Sequence, residues 1–256
     1  MDKFKLFSIV PDSTKEEAFN PTSNLIGQAF RGIAHKVLDP LVRYNIVKDE
    51  EMKDFADRTR NKTDAIPNEN RDDSKLGLTY KAVEDSSYQL NEEVLREMFS
   101  NLIASTVDDR KNGQVKPFFS SILKDMSPTD ASLFKLIYKE NNLAIASVRI
   151  ENQNTSEGVN VIKNVILLDD AEIQEPSSLD MLQRFGLIEI NPERYLIAQK
   201  FVDQYNRFEK SSTYNSVKES IPFQSDDLLL DFVKLLKGNI KLTSLGKDFA
   251  NIIISQ

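Results

Sequence analysis

Four pairs of adjacent aspartates are the side chains in this 256-residue sequence whose types and spacing could do chemistry: Asp72-Asp73, Asp108-Asp109, Asp169-Asp170 and Asp226-Asp227. Paired carboxylates can ligate magnesium or divide the roles of acid and base in a hydrolysis. Each pair falls at an expected helix end or in a loop, where carboxylates also cap helices or stay hydrated. The helix macrodipole alone accounts for Asp226-Asp227. The single histidine, His35, lies off the apolar rows of its helix, beside Gln28, Arg31 and Lys36, and reads as solvated. No serine stands in a GxSxG context that it could serve as base. One histidine cannot build a histidine-rich metal site. The chain has no cysteine, which removes disulfides, thiolate zinc sites and thiol nucleophiles together. Neither GxxxxGKS/T nor GxGxxG occurs. The expectation is a protein that is not an enzyme, with no catalytic residues, no cofactor and no metal.

Composition narrows the rest. Hydrophobic residues make up 40% and charged residues 29%, an ordinary globular balance. Glycine and proline number only 8 and 9, against a turn-rich all-β fold. The net charge is −7, and the deficit is spread over both halves. Affinity for nucleic acid rests mainly on neutralising phosphates, so nucleic acid is disfavoured as a partner. No stretch approaches the roughly 20 apolar residues of a membrane span. No signal peptide is visible in "MDKFKLFSIVPDSTKEEAF", and a cytoplasmic location is expected.

The elements that must position these residues are mostly helical. Residues 1–21 are an arm. Two apolar rows at spacing four, Leu25, Ala29, Ile33, Val37 and Ile26, Phe30, Ala34, Leu38, make one helical face over 22–38, which Pro40 should end. A helix follows from "KDEEMKDFADRT", acidic at its start as the dipole prefers. The polar "NKTDAIPNENRDDS" is a loop, and Leu76, Tyr80 and Val83 mark the next helix. Asn91 should cap the strongest helix, "LREMFSNLIASTVDD". There Leu95, Met98, Phe99, Leu102, Ile103 and Val107 face a core, and Arg96 pairs with Glu92 outside. The "DDRKNG" segment ends it, with Asp108-Asp109 at a frayed terminus. Helices from Pro117 and from Pro128 follow, the second opened by Ser127 and Asp130 in a capping box. The strand-like runs "LAIASVRIE" and "VIKNVILL" come next, then a helix at "SSLDMLQRF" stopped by Gly186. "LIEI" and "YLIA" flanking "NPER" suggest a hairpin. Helices are expected at about 199–210 and 226–237, then a short strand "GNIKLT" and a terminal helix.

Several surfaces have a functional and a plainer reading. "RNK" and "DRKNG" are short charge clusters that read as solvated surface. A recognition helix at "SSLDMLQRF" would offer DNA only Gln183 and Arg184 beside Asp180. The 22–38 helix, with Arg31, His35 and Lys36 opposite its apolar face, could lie on a membrane; such a stripe is more often core. Asn101, Asp108 and Asp109 are the residues near the signature helix with a functional claim, and packing leaves Asn101 and Asp108 unexplained.

"LREMFSNLIASTVD" resembles the signature helix of the Abi-alpha (abortive infection alpha) family. The resemblance continues through "VKPFFSSILKDMSPTDASLFKLI", "LQRFGLIEI" and "LTSLGKDF", and spans about residues 24–254. Residues 90–137 and 242–250 carry its most specific parts. The order of helices and strands around "GLI" and "LTSLG" also resembles a winged helix, with an insertion at about 191–238. The family resemblance implies a cytosolic bacterial role in phage defence through protein–protein interaction. The partner would be a phage component or a second copy, and membrane contact through 22–38 is not favoured. The alternatives are a winged-helix DNA-binding regulator and a metal-dependent hydrolase using the acid pairs. The expected fold is mostly α (α+β): a helical bundle over 22–126, then a winged-helix-like part with short strands over 127–256.

Overall fold

The structure, a computed structural model, describes residues 32, 36–44, 46–225 and 228–254. The expected arm, the greater part of the 22–38 helix with its membrane reading, His35 and the Asp226-Asp227 pair lie outside the described residues. The chain forms two compact units. The first is Met1–Ser132 together with Asp248–Gln256, and the second is Leu133–Lys247. Among the described residues no helix is long and apolar enough to cross a membrane.

The first unit is helical. Leu38 lies in a turn, and Pro40 takes the first turn of α1 (Asp39–Arg43), where its missing N–H costs nothing. Then come α2 (Asp49–Asp64), α3 (Leu76–Ser86), α4 (Glu93–Thr106) and α5 (Phe119–Asp125). Next, α6 (Pro128–Glu140) begins with the expected capping box: Ser127 N donates to Asp130 Oδ2 at 2.8 Å, and Asp130 N to Ser127 Oγ at 3.1 Å. Phe55, Leu95, Phe99, Ile103, Phe119, Leu123 and Phe249 are sealed in the core.

Helix α4 is the hub, packed on α2, α3 and α5. Eleven of its fourteen residues are buried, so it is buried nearly all round, not on one stripe. This corrects the expected outer face. Arg96 does not pair with Glu92 in solvent. It is buried, with Nε on Asp54 Oδ2 at 2.9 Å and Nη1 on the Leu90 carbonyl at 2.7 Å. Nor does Asn91 cap α4; Glu92 occupies the N-cap position and its side chain makes no capping bond. The polar residues on the far side of α4 are enclosed and hydrogen-bonded, as buried polar groups must be.

The second unit contains β1 (Asn142–Glu151), β2 (Gly158–Leu167), β3 (Glu172–Ile173), α7 (Pro176–Arg184), β4 (Ile188–Asn191), α8 (Gln199–Phe208) and α9 (Ser212–Glu219). The hairpin β5 (Phe223–Ser225) and β6 (Leu228–Leu230) follows, then β7 (Phe232–Leu242). The last helix, α10 (Ser244–Ile253), runs into the closing residues of the first unit. Five strands make an antiparallel sheet in the order β3-β2-β1-β7-β4. Ala144, Ala146, Val148 and Ile150 of β1 line one face, where they share a core with Tyr205, Phe208 and Tyr214.

Two expectations about 191–238 are overturned. The helix expected at about 226–237 is absent from the described part, 228–237: Leu228–Leu230 and Phe232–Leu242 are strands, and β7 pairs with β1 along ten residues, from Asn142↔Lys241 to Glu151↔Phe232. "LLLDFVKLLK" has apolar residues at both helical and strand spacing, and the non-local pairing decides. "NPER" does not join a hairpin. Strand β4 pairs instead with β7, Ile188↔Leu242 to Asn191↔Asn239, and the carbonyl of Arg194 accepts from the Asn239 amide. The "GLI" strand is thereby paired with the strand that leads into "LTSLG". A tight junction holds it. Thr243 N donates to Leu187 O at 3.0 Å and Thr243 Oγ1 to Gly186 O at 2.6 Å, with Gly186 at φ +70°.

Candidate functional site

The end of α4 is where the first unit gathers its polar side chains. A helix leaves its last carbonyls without intrahelical donors. Asn101 Nδ2 donates to the Ile253 carbonyl of α10 at 2.8 Å, and Ser105 Oγ lies 3.4 Å from the Ile252 carbonyl. The Phe119 and Phe249 rings meet edge to face, centroids 5.0 Å apart. Thr79 and Thr106 share a hydroxyl–hydroxyl bond of 2.7 Å. These contacts tie α4 to α10 and to α3, and α5 to α10.

Beyond α4 the chain is clasped to the 70–72 loop. Asp72 N donates to Val107 O at 3.0 Å, Asp109 N to Asn70 O at 2.9 Å, and Arg71 and Asp108 form an isolated antiparallel bridge. Three of the four acids of the two pairs here, Asp72, Asp108 and Asp109, have structural partners. Asp72 accepts from Ser74 and Asn112, and Asp109 accepts from Asn70 Nδ2 at 3.0 Å. Asp108 is buried, not frayed as expected. It takes bonds from Arg110 N, Nε and Nη2 at 3.1, 2.8 and 2.6 Å. The Arg110 guanidinium, opposed in part by burial, holds the Asp108 carboxyl below the usual carboxylate range.

These elements surround a cavity of about 430 Å³ in the first unit. Asn101 and Asp108, the two residues that packing left unexplained, both line it. So do Lys62, Arg110 and Lys111, from the clusters read as solvated surface. Lys62 Nζ is held by Glu97 Oε1 at 2.7 Å. Burial pushes the Glu97 carboxyl upward, but Lys62 and Arg58 more than reverse this and leave it below its ordinary range. Sequence reasoning missed that "RNK" and "DRKNG" face one space; only their shared basic character hinted at it. Asp108 is the single carboxylate in the lining, so the hydrolase reading, which needs a second acid beside it, finds none there. No group of three or more His, Cys, Asp or Glu able to hold a metal occurs among the described residues.

The other expected residues lie in the second unit. Gln183 and Arg184 are exposed at the end of α7, with Asp180 exposed on the same helix, so the face carries no net positive charge. Asp169 accepts from Gln204 Nε2 at 2.8 Å, while Asp170 and Glu172 line a separate cavity of about 300 Å³ beside Arg207.

One constellation with the residue types of a catalytic site escaped the sequence. Lys81 Nζ, on α3, contacts Asp85 and donates to Ser120 Oγ at 3.0 Å and Ser121 Oγ at 2.7 Å on α5. Burial pushes the Asp85 carboxyl up; hydrogen bonds from Lys81 and Ser120 and the charge of Lys81 outweigh it, and the carboxyl ends below its usual range. Ser120 Oγ also donates to Asp85 Oδ2 at 2.6 Å, and Lys124 lies 3.3 Å from Asp85 Oδ1, so both carboxylate oxygens are engaged. The cluster is an ion-pair latch between α3 and α5.

Comparison with known proteins agrees with the signature. No curated protein matches the chain. A solved structure of an uncharacterized protein from the hydrocarbon-degrading marine bacterium Alcanivorax borkumensis SK2 is similar at 11% identity and a TM-score of 0.33, covering 57% of this chain and 96% of that one. The family model described as Abortive infection alpha matches residues 47–253, which take in α2, the α4 hub, the cavity's basic residues and the junction before α10. The chain belongs to the Abortive infection alpha family.

Proposed function

We propose that this protein serves phage defence by binding a protein partner at the cavity-bearing surface of its first unit, without catalysis, in the bacterial cytoplasm. The family match over residues 47–253 carries the reading. The chemistry of the cavity supports the second half. Its one carboxylate is neutralised by Arg110, and Asn101 is engaged with a backbone carbonyl, so its groups are set to hold a surface in shape. The test is phage plating on cells with and without the gene. Deletion should raise plating efficiency for at least one phage of a broad panel, and the intact gene should restore protection. Unchanged plating across the panel would refute the reading.

A second reading, a winged-helix DNA-binding regulator, draws on one observation: β4 pairs with β7 immediately before "LTSLG", Ile188↔Leu242. The mixed charge of Asp180 and Arg184 on α7 speaks against it. Duplex DNA titrated at rising salt decides it, since such a regulator would lose affinity steeply.

A further inference from the structure

We infer that the cavity of the first unit is the docking site for an acidic side chain, a glutamate or aspartate presented by a protein partner; this rests on the partner-binding reading above. Three cations, Lys62, Arg110 and Lys111, line it against one carboxylate, Asp108, which is already paired with Arg110 at 2.6 Å. Lys111 is exposed and its ammonium makes no ion pair among the described residues. Lys62 uses one N–H on Glu97, and an ammonium has three donors.

The ends of three helices reach this cavity, and bare helix C-termini would repel an anion. Here their carbonyls are occupied. Arg71 donates to Ile66 O and Asp64 O after α2, Asp72 N to Val107 O after α4, and Asn101 and Ser105 cover Ile253 O and Ile252 O of α10. The cations are therefore not consumed in offsetting the dipoles. The lining also includes Ala104 and Ile252, which suit the aliphatic stem of a glutamate. The volume of about 430 Å³ lies within the range of pockets that enclose small groups. A phosphate would leave the apolar Ala104 and Ile252 lining unused, so a carboxylate on an aliphatic stem fits better.

The probe is an acetylated, amidated peptide Ala-Leu-Glu-Leu-Ala, titrated into the full chain beside its glutamine counterpart and inorganic phosphate, with amide NMR shifts as readout. The glutamate peptide should bind saturably and shift the amides of residues 104–111 and 251–254. The glutamine peptide should bind at least about tenfold more weakly, and added salt should weaken the glutamate peptide. Lys111→Glu and Asn251→Asp change exposed side chains at the lining and should each weaken the glutamate peptide while the spectrum stays folded. Equal binding of the two peptides, indifference to both substitutions, or tighter binding of phosphate would overturn the inference. Phage plating with Lys111→Glu is scored separately: peptide binding lost with protection retained removes the acidic-side-chain site from defence, whereas a deletion without phenotype removes the defence reading itself.

Discussion

The amide of Asn101 donates to the carbonyl of Ile253 across 2.8 Å, joining residues 152 positions apart in the chain. This bond gives the asparagine of the signature helix a physical task. It supplies a donor that the terminal helix lacks at its own end.

Replacing Asn101 by alanine leaves that carbonyl short of its donor. The expected loss is about 1–3 kcal/mol, the usual cost of stranding a buried polar group. Urea unfolding followed by circular dichroism measures it. A neutral result would show that Asn101 is held for ligand contact alone.

Phe99 is completely buried at the centre of α4. Phe99→Ala should cost about 3–5 kcal/mol, because the closely packed helices around it can only partly collapse into the space. A chemical denaturation midpoint close to that of the parent chain would contradict the hub role assigned to α4.

Gly246 sits where "LTSLG" closes against "GLI". A Cβ there would stand 2.0 Å from the Leu187 carbonyl oxygen, and that oxygen is backbone, held by Thr243 N at 3.0 Å. Gly246→Ala therefore forces the β4–β7 junction apart. Overpacking costs about 1–3 kcal/mol in side-chain cores, and a backbone clash should reach at least the upper end. Thermal melting of the variant tests this, with Gly113→Ala, whose Cβ would meet nothing within 4 Å, as the tolerant control.

The Asp85 latch predicts a pH dependence. Burial raises the Asp85 carboxyl, yet Lys81, Ser120 and Lys124 bring its net position in the fold below the ordinary value. Its contribution to stability is then full above the unfolded carboxyl pKa, about 3.9, and is lost as pH falls through the lower folded value. The stability gap between the parent and Asp85→Asn should be widest near neutrality and should close below about pH 4. Denaturant midpoints taken at a series of pH values show whether it does.

Local information was enough for many elements. The acidic start at Asp49, the Ser127–Asp130 box and the β-branched runs at 143–151 and 161–168 each place an element within a few residues of where the structure has it. These signals lie within a few residues of the backbone they shape, so the sequence carries them directly. The motifs "LREMFSNLIASTVD" and "LTSLGKDF" likewise announced the family. The tertiary structure alone decided what the polar residues do. Arg96 looked solvated until α2 placed Asp54 beside it, 42 positions away. Asn101 had no partner in helical periodicity because Ile253 reaches it through the folding of distant segments, and Asp108 had none because the turn after α4 brings Arg110 back onto it. The run 228–242 has an apolar pattern compatible with helix and strand, and its pairing with β5, β1 and β4 selects strand. Lys62, Arg110 and Lys111 share one cavity for the same reason. Period and caps are encoded locally, whereas the meeting of charges is set by which helices pack together, and that is a property of the whole first unit.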